Sequence, residues 1–253
     1  MLGIIASSGV PQLGADLGLQ PRDVATPYEV VTVRVGKIGG QEVACIARHG
    51  EGPPLPPHRV NYRANVWALA ELGCRAILAT NAVGSLCPSL RPGTFCVPAQ
   101  LLDFTSARPR TFYEEEMVAV DFTEPYCARL SALVASVVKA TDRPLQAGLT
   151  YACTEGPRFE TAAEIRMLRL LGADVVGMTA IPEAVLAREK GLCYASLCVV
   201  TNLAAGIEGH HPSAEEVTSE MERCWQALTQ VIQAVAAAYH DDPSCPCHGR
   251  ARS

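Results

Sequence analysis

Val60-Asn61-Tyr62-Arg63-Ala64-Asn65-Val66-Trp67-Ala68-Leu69-Ala70-Glu71-Leu72-Gly73-Cys74-Arg75-Ala76-Ile77-Leu78-Ala79-Thr80 changes period in its middle. Up to Leu72 the apolar residues Val60, Ala64, Trp67 and Ala68 recur at helical spacing, Gly73 is a natural stop, and residues 75–80 read as a strand. A helix that feeds at once into a strand is the joint of an α/β fold. The alternation extends outward from it. Strands are predicted over residues 4–7, 30–35, 43–47, 145–152, 175–178 and 194–201, and helices over 126–139, 161–171, 183–190 and 213–239. No composition break or internal repeat divides the chain, so residues 1–240 predict one α/β domain. Residues 241–253, with Pro243, Pro246, Arg250 and Arg252, read as a flexible tail.

The 253 residues hold 21 Lys or Arg against 26 Asp or Glu, a net charge of −5. No basic field is available for a nucleic acid, which excludes one as the main partner. With 49% hydrophobic and 19% charged residues the chain has the balance of a protein that buries a core, and disorder is excluded for most of its length. No segment approaches the roughly 18 apolar residues of a membrane span. Residues 1–10 lack the positive region and apolar length of a signal peptide, so a cytoplasmic protein without a membrane partner is expected. The eleven cysteines are scattered, with Cys45, Cys74, Cys96, Cys193 and Cys198 in apolar segments, and read as reduced thiols packing as small hydrophobes.

In such sheets, pockets form at the carboxyl ends of strands. Five of those ends carry polar groups: Ser7-Ser8-Gly9, Arg48-His49-Gly50, Asn81-Ala82-Val83-Gly84, Met178-Thr179 and Thr201-Asn202. Arg48-His49 alone reads as a surface ion-pair site. With four other ends converging on it, the set reads as an anion cradle beside a polar pocket. His210 and His211 are adjacent and point apart with no third ligand at suitable spacing, which makes them loop residues rather than metal ligands. Cys245-Pro246-Cys247-His248 is one short cluster in a tail and is taken as neutral, so no metal is expected. Glu114-Glu115-Glu116 is a solvated face.

Five motifs together, Arg48-His49-Gly50, residues 61–65 (Asn-Tyr-Arg-Ala-Asn), residues 80–86 (Thr-Asn-Ala-Val-Gly-Ser-Leu), residues 155–161 (Glu-Gly-Pro-Arg-Phe-Glu-Thr) and residues 177–183 (Gly-Met-Thr-Ala-Ile-Pro-Glu), resemble the trimeric purine nucleoside phosphorylase and methylthioadenosine phosphorylase family. The resemblance runs in order from about residue 4 to residue 239. It implies a single α/β domain with a central mixed β-sheet flanked by helices, and phosphorolysis, in which phosphate displaces a purine from C1′ of a nucleoside. Inorganic phosphate is then a co-substrate, and no cofactor is implied. Ser8, Arg48, His49, Asn81, Ala82 through its backbone N–H, and Thr179 match the family's phosphate ligands. Phe159 matches the residue that packs on the base and Met178 the one that packs on the ribose. The family's glycine-rich loop after the first strand is Ala6-Ser7-Ser8-Gly9 here, with a hydroxyl kept and a glycine lost. The resemblance also implies a homotrimer in which a loop matching residues 118–122 completes the next subunit's pocket.

The choice of base is written in three positions. A 6-oxopurine presents an O6 acceptor and an N1–H donor, whereas adenine presents an amino donor and an N1 acceptor. Asn202 and Ala204 stand where methylthioadenosine phosphorylases carry two Asp residues, and Glu160 matches the Glu that accepts from N1–H in 6-oxopurine enzymes. Asn202 is the expected catalytic residue, donating to O6 and accepting from N7 as it takes a proton. At the sugar's 5′ end, Ala214 aligns with the residue that is a His in inosine and guanosine enzymes, leaving His211 three positions earlier. These features together resemble the S-methyl-5′-thioinosine phosphorylase branch, set slightly above a general inosine and guanosine phosphorylase. Methylthioadenosine phosphorolysis is the alternative. A non-enzymatic nucleoside-binding protein is disfavoured by Arg48, His49 and Thr179, and a metal-dependent nucleoside hydrolase by the lack of an Asp-rich cluster.

Overall fold

A computed structural model describes residues 1–7, 14–15 and 17–249 of the chain. Among these residues nine strands form one mixed sheet: β1 (Leu2–Ala6), β2 (Gln20–Ala25), β3 (Val30–Ile38), β4 (Gln41–Ala47), β5 (Ala76–Ser85), β6 (Phe95–Phe104), β7 (Leu145–Thr154), β8 (Val175–Gly177) and β9 (Cys193–Leu203). Five α-helices accompany them: α1 (Tyr62–Glu71), α2 (Ala128–Lys139), α3 (Ala162–Leu170), α4 (Glu183–Glu189) and α5 (Ala214–Ala238). The strand order is β2-β3-β4-β1-β5-β8-β7-β6-β9, and β9 returns to pair with β5, so the second half of the sheet closes on itself.

The apolar runs of β1, β5 and β9 are buried along nearly their whole length, as strands covered by helices on both faces require, whereas β3 and the start of β7 are partly exposed. β1 lies parallel to β4 and β5, with Ile4 beside Cys45 and Leu78. Leu2, Ile4 and Ala6 face the layer of α2 and α5, while Ile5 faces α1 and α4, as a strand's two-residue period demands. Gly3 has no room for more than a hydrogen, since a Cβ there would stand 2.9 Å from Leu69 Cδ1.

Three expectations are corrected. β5 does not stop at Thr80: it continues to Ser85 because β9 and β8 flank it, with a register shift between Val83 and Gly84. The Asn-Ala-Val-Gly segment that reads as a loop is therefore strand, and so are Thr201 and Asn202 in β9. β2 and β6 were not expected. β2 is a mostly exposed edge with Pro21, and β6 holds Pro98 at its register shifts, so neither has the unbroken apolar pattern of a strand. The tail is also docked through Gly249, with Cys245 and Cys247 buried in the main core.

Candidate active site

A cavity of about 360 Å³ opens where β1, β4, β5, β8 and β9 bring their polar ends together. Ser7 and His49 follow β1 and β4, Ala82 to Gly84 come from β5, Met178 and Thr179 follow β8, and Thr201, Asn202 and Ala204 come from the end of β9. Phe159 and Glu160 close one side. They are held by the start of α3, where Thr161 accepts from the Glu164 N–H and Glu164 accepts from the Thr161 N–H, a reciprocal cap that fixes the chain just before the helix. Pro212, Ala214, Val217 and Thr218, at the start of α5, line the cavity as well.

The expected residues fall into three groups. His49, Ala82, Phe159, Glu160, Met178, Thr179, Asn202 and Ala204 all line the cavity. Ser8 lies outside the described residues; Ser7, which was not singled out as a ligand, lines the cavity with a buried hydroxyl that has no hydrogen-bond partner among the described residues. Arg48 and Asn81, also expected to hold phosphate, are buried beside the cavity rather than among its lining residues, and their contacts among the described residues are with the protein. Arg48 is fully buried, with Nε and Nη2 each donating to Glu183 at 2.9 Å and Nη1 donating to the Thr80 carbonyl at 2.8 Å. Tyr194 adds a hydroxyl to Glu183 at 2.8 Å. Burial works against the Arg48 charge, but Glu183 outweighs it and keeps the guanidinium protonated.

Asn81 acts through Thr179. Ser196 donates to Asn81 Oδ1 at 2.6 Å, which turns the amide so that Nδ2 donates to Thr179 Oγ1 at 2.8 Å. With that lone pair filled, the Thr179 hydroxyl is left to donate into the cavity. His49 is held similarly, since its Nδ1 lies 2.7 Å from the Leu55 carbonyl, which can only accept, and so Nδ1 carries the proton and Nε2 is left as the acceptor. Asn202 is fixed at both ends: Oδ1 accepts from Thr201 at 2.8 Å and Nδ2 donates to the Leu203 carbonyl at 2.8 Å. One N–H and one acceptor site remain for a ligand. Glu160 Oε1 accepts from Thr154 at 2.6 Å, leaving its other oxygen.

Sequence reading missed Glu183, Ser196 and Arg108, because each acts through a partner remote in sequence. Arg108 is buried and Nη1 donates to the carbonyls of Met178 and Ile181, each at 2.7 Å, which braces the turn carrying Met178 and Thr179. Its Nε donates to Glu155 at 2.9 Å. Burial alone would raise the Glu155 pKa, but the N–H groups of Ser106 and Ala107 and the Arg108 guanidinium bring it down to about 2.

The profile of the Phosphorylase superfamily matches residues 2–237. The chain belongs to that superfamily. It is 45% identical over 254 residues to a 6-oxopurine nucleoside phosphorylase of Pyrococcus furiosus, covering 97% of this chain and 96% of the relative. It is 48% identical over 249 residues to a probable S-methyl-5′-thioinosine phosphorylase of Methanothermobacter thermautotrophicus, covering 98% and 87%. Among solved structures it is similar to a methylthioadenosine phosphorylase from an antarctic soil metagenomic library, with a TM-score of 0.91, 34% identity and coverage of 99% of this chain and 90% of that one. A methylthioadenosine phosphorylase of Schistosoma mansoni in complex with adenine gives a TM-score of 0.88 at 32% identity, with coverage of 93% and 90%. A single domain around a mixed sheet is thus the superfamily's fold as well as the observed one.

Burial, and next to it the Arg48 charge, lower the His49 pKa below 6.5. Between the folded value and 6.5 the unfolded chain binds a proton that the folded chain does not, so His49 favours folding above that window and loses its contribution as the pH falls. In phosphate-free buffer, wild type is expected to lose more Tm between about pH 7.5 and about pH 5.5 than His49→Gln. Equal losses would mean that His49 titrates normally.

Proposed function

We propose that the chain catalyses phosphorolysis of 6-oxopurine nucleosides, with S-methyl-5′-thioinosine preferred, giving free purine and 5-methylthioribose 1-phosphate. The observation that carries this reading is the base end of the cavity, where Asn202 and Glu160 supply polar groups and Ala204 supplies none. The remaining Asn202 N–H donates to O6, and its acceptor site takes the N7–H of the leaving purine. Glu160 accepts from N1–H. Adenine would set a lone pair against that carboxylate, at a cost on the order of 1 to 3 kcal/mol.

Phosphate binds at the end lined by Ser7, His49, Ala82 and Thr179. The Thr179 hydroxyl donates to it, and His49 Nε2 accepts a phosphate O–H. A phosphate oxygen forms the new bond to C1′ as the C1′–N9 bond breaks, and the N9 electron pair leaves with the purine, which takes a proton at N7. Phe159 packs on the base and Met178 on the ribose. These contacts accelerate the reaction to the extent that they tighten as charge moves onto the purine. No metal or cofactor takes part in this scheme. At the 5′ end Pro212, Ala214 and Val217 offer an apolar wall that suits a methylthio group, and His210 is turned to Glu216 at 2.9 Å.

The reading includes a homotrimer. In that assembly residues 118–122, which do not line the cavity of their own chain, would reach a neighbour's. Light scattering is expected to give about three times the 26.9 kDa chain mass, and an active monomer would refute the shared pocket. A cytoplasmic protein acting on small molecules, with no nucleic-acid or membrane partner, is part of the same reading. Among the described residues no helix is long and apolar enough to cross a membrane.

The test is a panel of methylthioinosine, inosine, guanosine, adenosine and methylthioadenosine, each with and without phosphate. Purine release is expected only with phosphate, and kcat/KM for 6-oxopurine nucleosides is expected to exceed that for 6-aminopurine ones at least about a hundredfold. Asn202→Asp with Ala204→Asp should narrow that ratio, and Glu160→Ser added to them should narrow it further. Preference of wild type for methylthioadenosine over methylthioinosine would assign the chain to adenine nucleosides. Release at equal rate without phosphate would end the phosphorylase reading.

A further inference from the structure

The cysteines of the docked tail complete a set of four. Cys127 is the N-cap residue of α2, Cys193 opens β9, and Cys245 and Cys247 come from the tail. All four are buried, and their sulfurs lie within 4.8 Å of one another. Cys245 Sγ stands 3.4 Å from Cys193 Sγ and 3.8 Å from Cys127 Sγ. A disulfide would hold two sulfurs at about 2.05 Å. Four sulfurs about 2.3 Å from a central ion, at the corners of a tetrahedron, lie about 3.8 Å apart.

The surroundings are those of a negative group. Among the described residues Arg129 Nε and Nη2 and Arg188 Nη1 are buried with no hydrogen-bond partner, the nearest paired carboxylate being that of Asp242, 3.9 Å from Arg129 Nε. Arg129 and Arg188 line the same small cavity as Cys127, Cys245 and Cys247. Four neutral thiols give buried guanidinium N–H groups weak acceptors, whereas thiolates satisfy them. His248 is outside the set, with Nδ1 donating to the Gly191 carbonyl at 2.8 Å and Nε2 3.8 Å from Cys193 Sγ.

We propose that Cys127, Cys193, Cys245 and Cys247 form a tetrathiolate zinc site that clasps the C-terminal tail to the start of β9 and the head of α2. Binding of Zn²⁺ by four thiols forms four Zn–S bonds and releases four protons to solvent, leaving a net charge of −2 faced by Arg129 and Arg188. Four protein ligands leave no open position, so the ion is structural. The site lies at the start of β9, whose other end carries Asn202, and it is independent of the substrate reading.

The test uses the full chain purified under reductant. Metal analysis is expected to give one zinc per chain. After removal of the metal under reductant, Co²⁺ should produce the intense visible bands of tetrahedral cobalt thiolate, which one equivalent of zinc should abolish. Cys245→Ser with Cys247→Ser should lose the bands and the rise of Tm on adding zinc. Should that variant fail to fold, the wild-type metal content and cobalt spectrum still decide. A reduced, folded wild-type chain that takes up neither zinc nor cobalt would overturn the proposal, and so would a chain that stays four hydrogens lighter as two disulfides under reductant.

Discussion

Under the floor of the cavity a guanidinium and a carboxylate face each other with no access to water. Arg48 and Glu183 are 135 residues apart in sequence and meet through two 2.9 Å hydrogen bonds, with the Tyr194 hydroxyl and the Thr80 carbonyl completing the set. Taking two charges out of water costs several kcal/mol each, and only complete pairing offsets it. The pair therefore imposes a condition on the fold: the end of β4, the head of α4, β5 and β9 must arrive together. His49 is the next residue after Arg48, and Thr179 lies four before Glu183 at the other end of the same turn. Both cavity groups inherit their positions from the ion pair. The same logic recurs in lighter form at Arg108, which holds the Met178 and Ile181 carbonyls, and at Ser196, which orients Asn81 and through it Thr179.

What the sequence disclosed follows from how far each signal reaches. The α1–β5 joint is local, since a 3.6-residue period ends at Gly73 and an apolar run begins, and it was read correctly. Asn202, Ala204 and Glu160, singled out by resemblance and by the donors and acceptors of a base edge, all line one cavity. Arg48 is legible as a polar strand-end residue, but its pairing with Glu183 is not, because the carboxylate lies 135 residues away in sequence. The extension of β5 beyond Thr80 depends on β8 and β9 alongside it, and the docking of the tail depends on thiols 118 and 52 residues away. Such pairings are set by tertiary contact and leave no local pattern.

The cavity changes character along its length. Hydroxyls and a neutral imidazole stand at one end, with Thr179 and His49 held in fixed orientations, the Asn202 amide and the Glu160 carboxylate stand beyond them, and proline, alanine and valine lie toward α5. Thr179, His49, Asn202 and Glu160 are each held by a partner in the protein and keep at least one unused donor or acceptor site, so little rearrangement is needed to meet a ligand. β9 runs from the thiol cluster at Cys193 to Asn202 in the cavity wall, buried along its whole length.

The dependence of the site on the buried pair is tested most directly by thermal unfolding of Arg48→Ala with and without phosphate. Loss of the guanidinium leaves Glu183 buried and uncompensated, a penalty of about 3 to 5 kcal/mol, so Tm is expected to fall by roughly 10 °C, with no recovery on adding phosphate. A variant that melts with wild type, while its KM for phosphate alone rises, would show that Arg48 serves the anion rather than the fold.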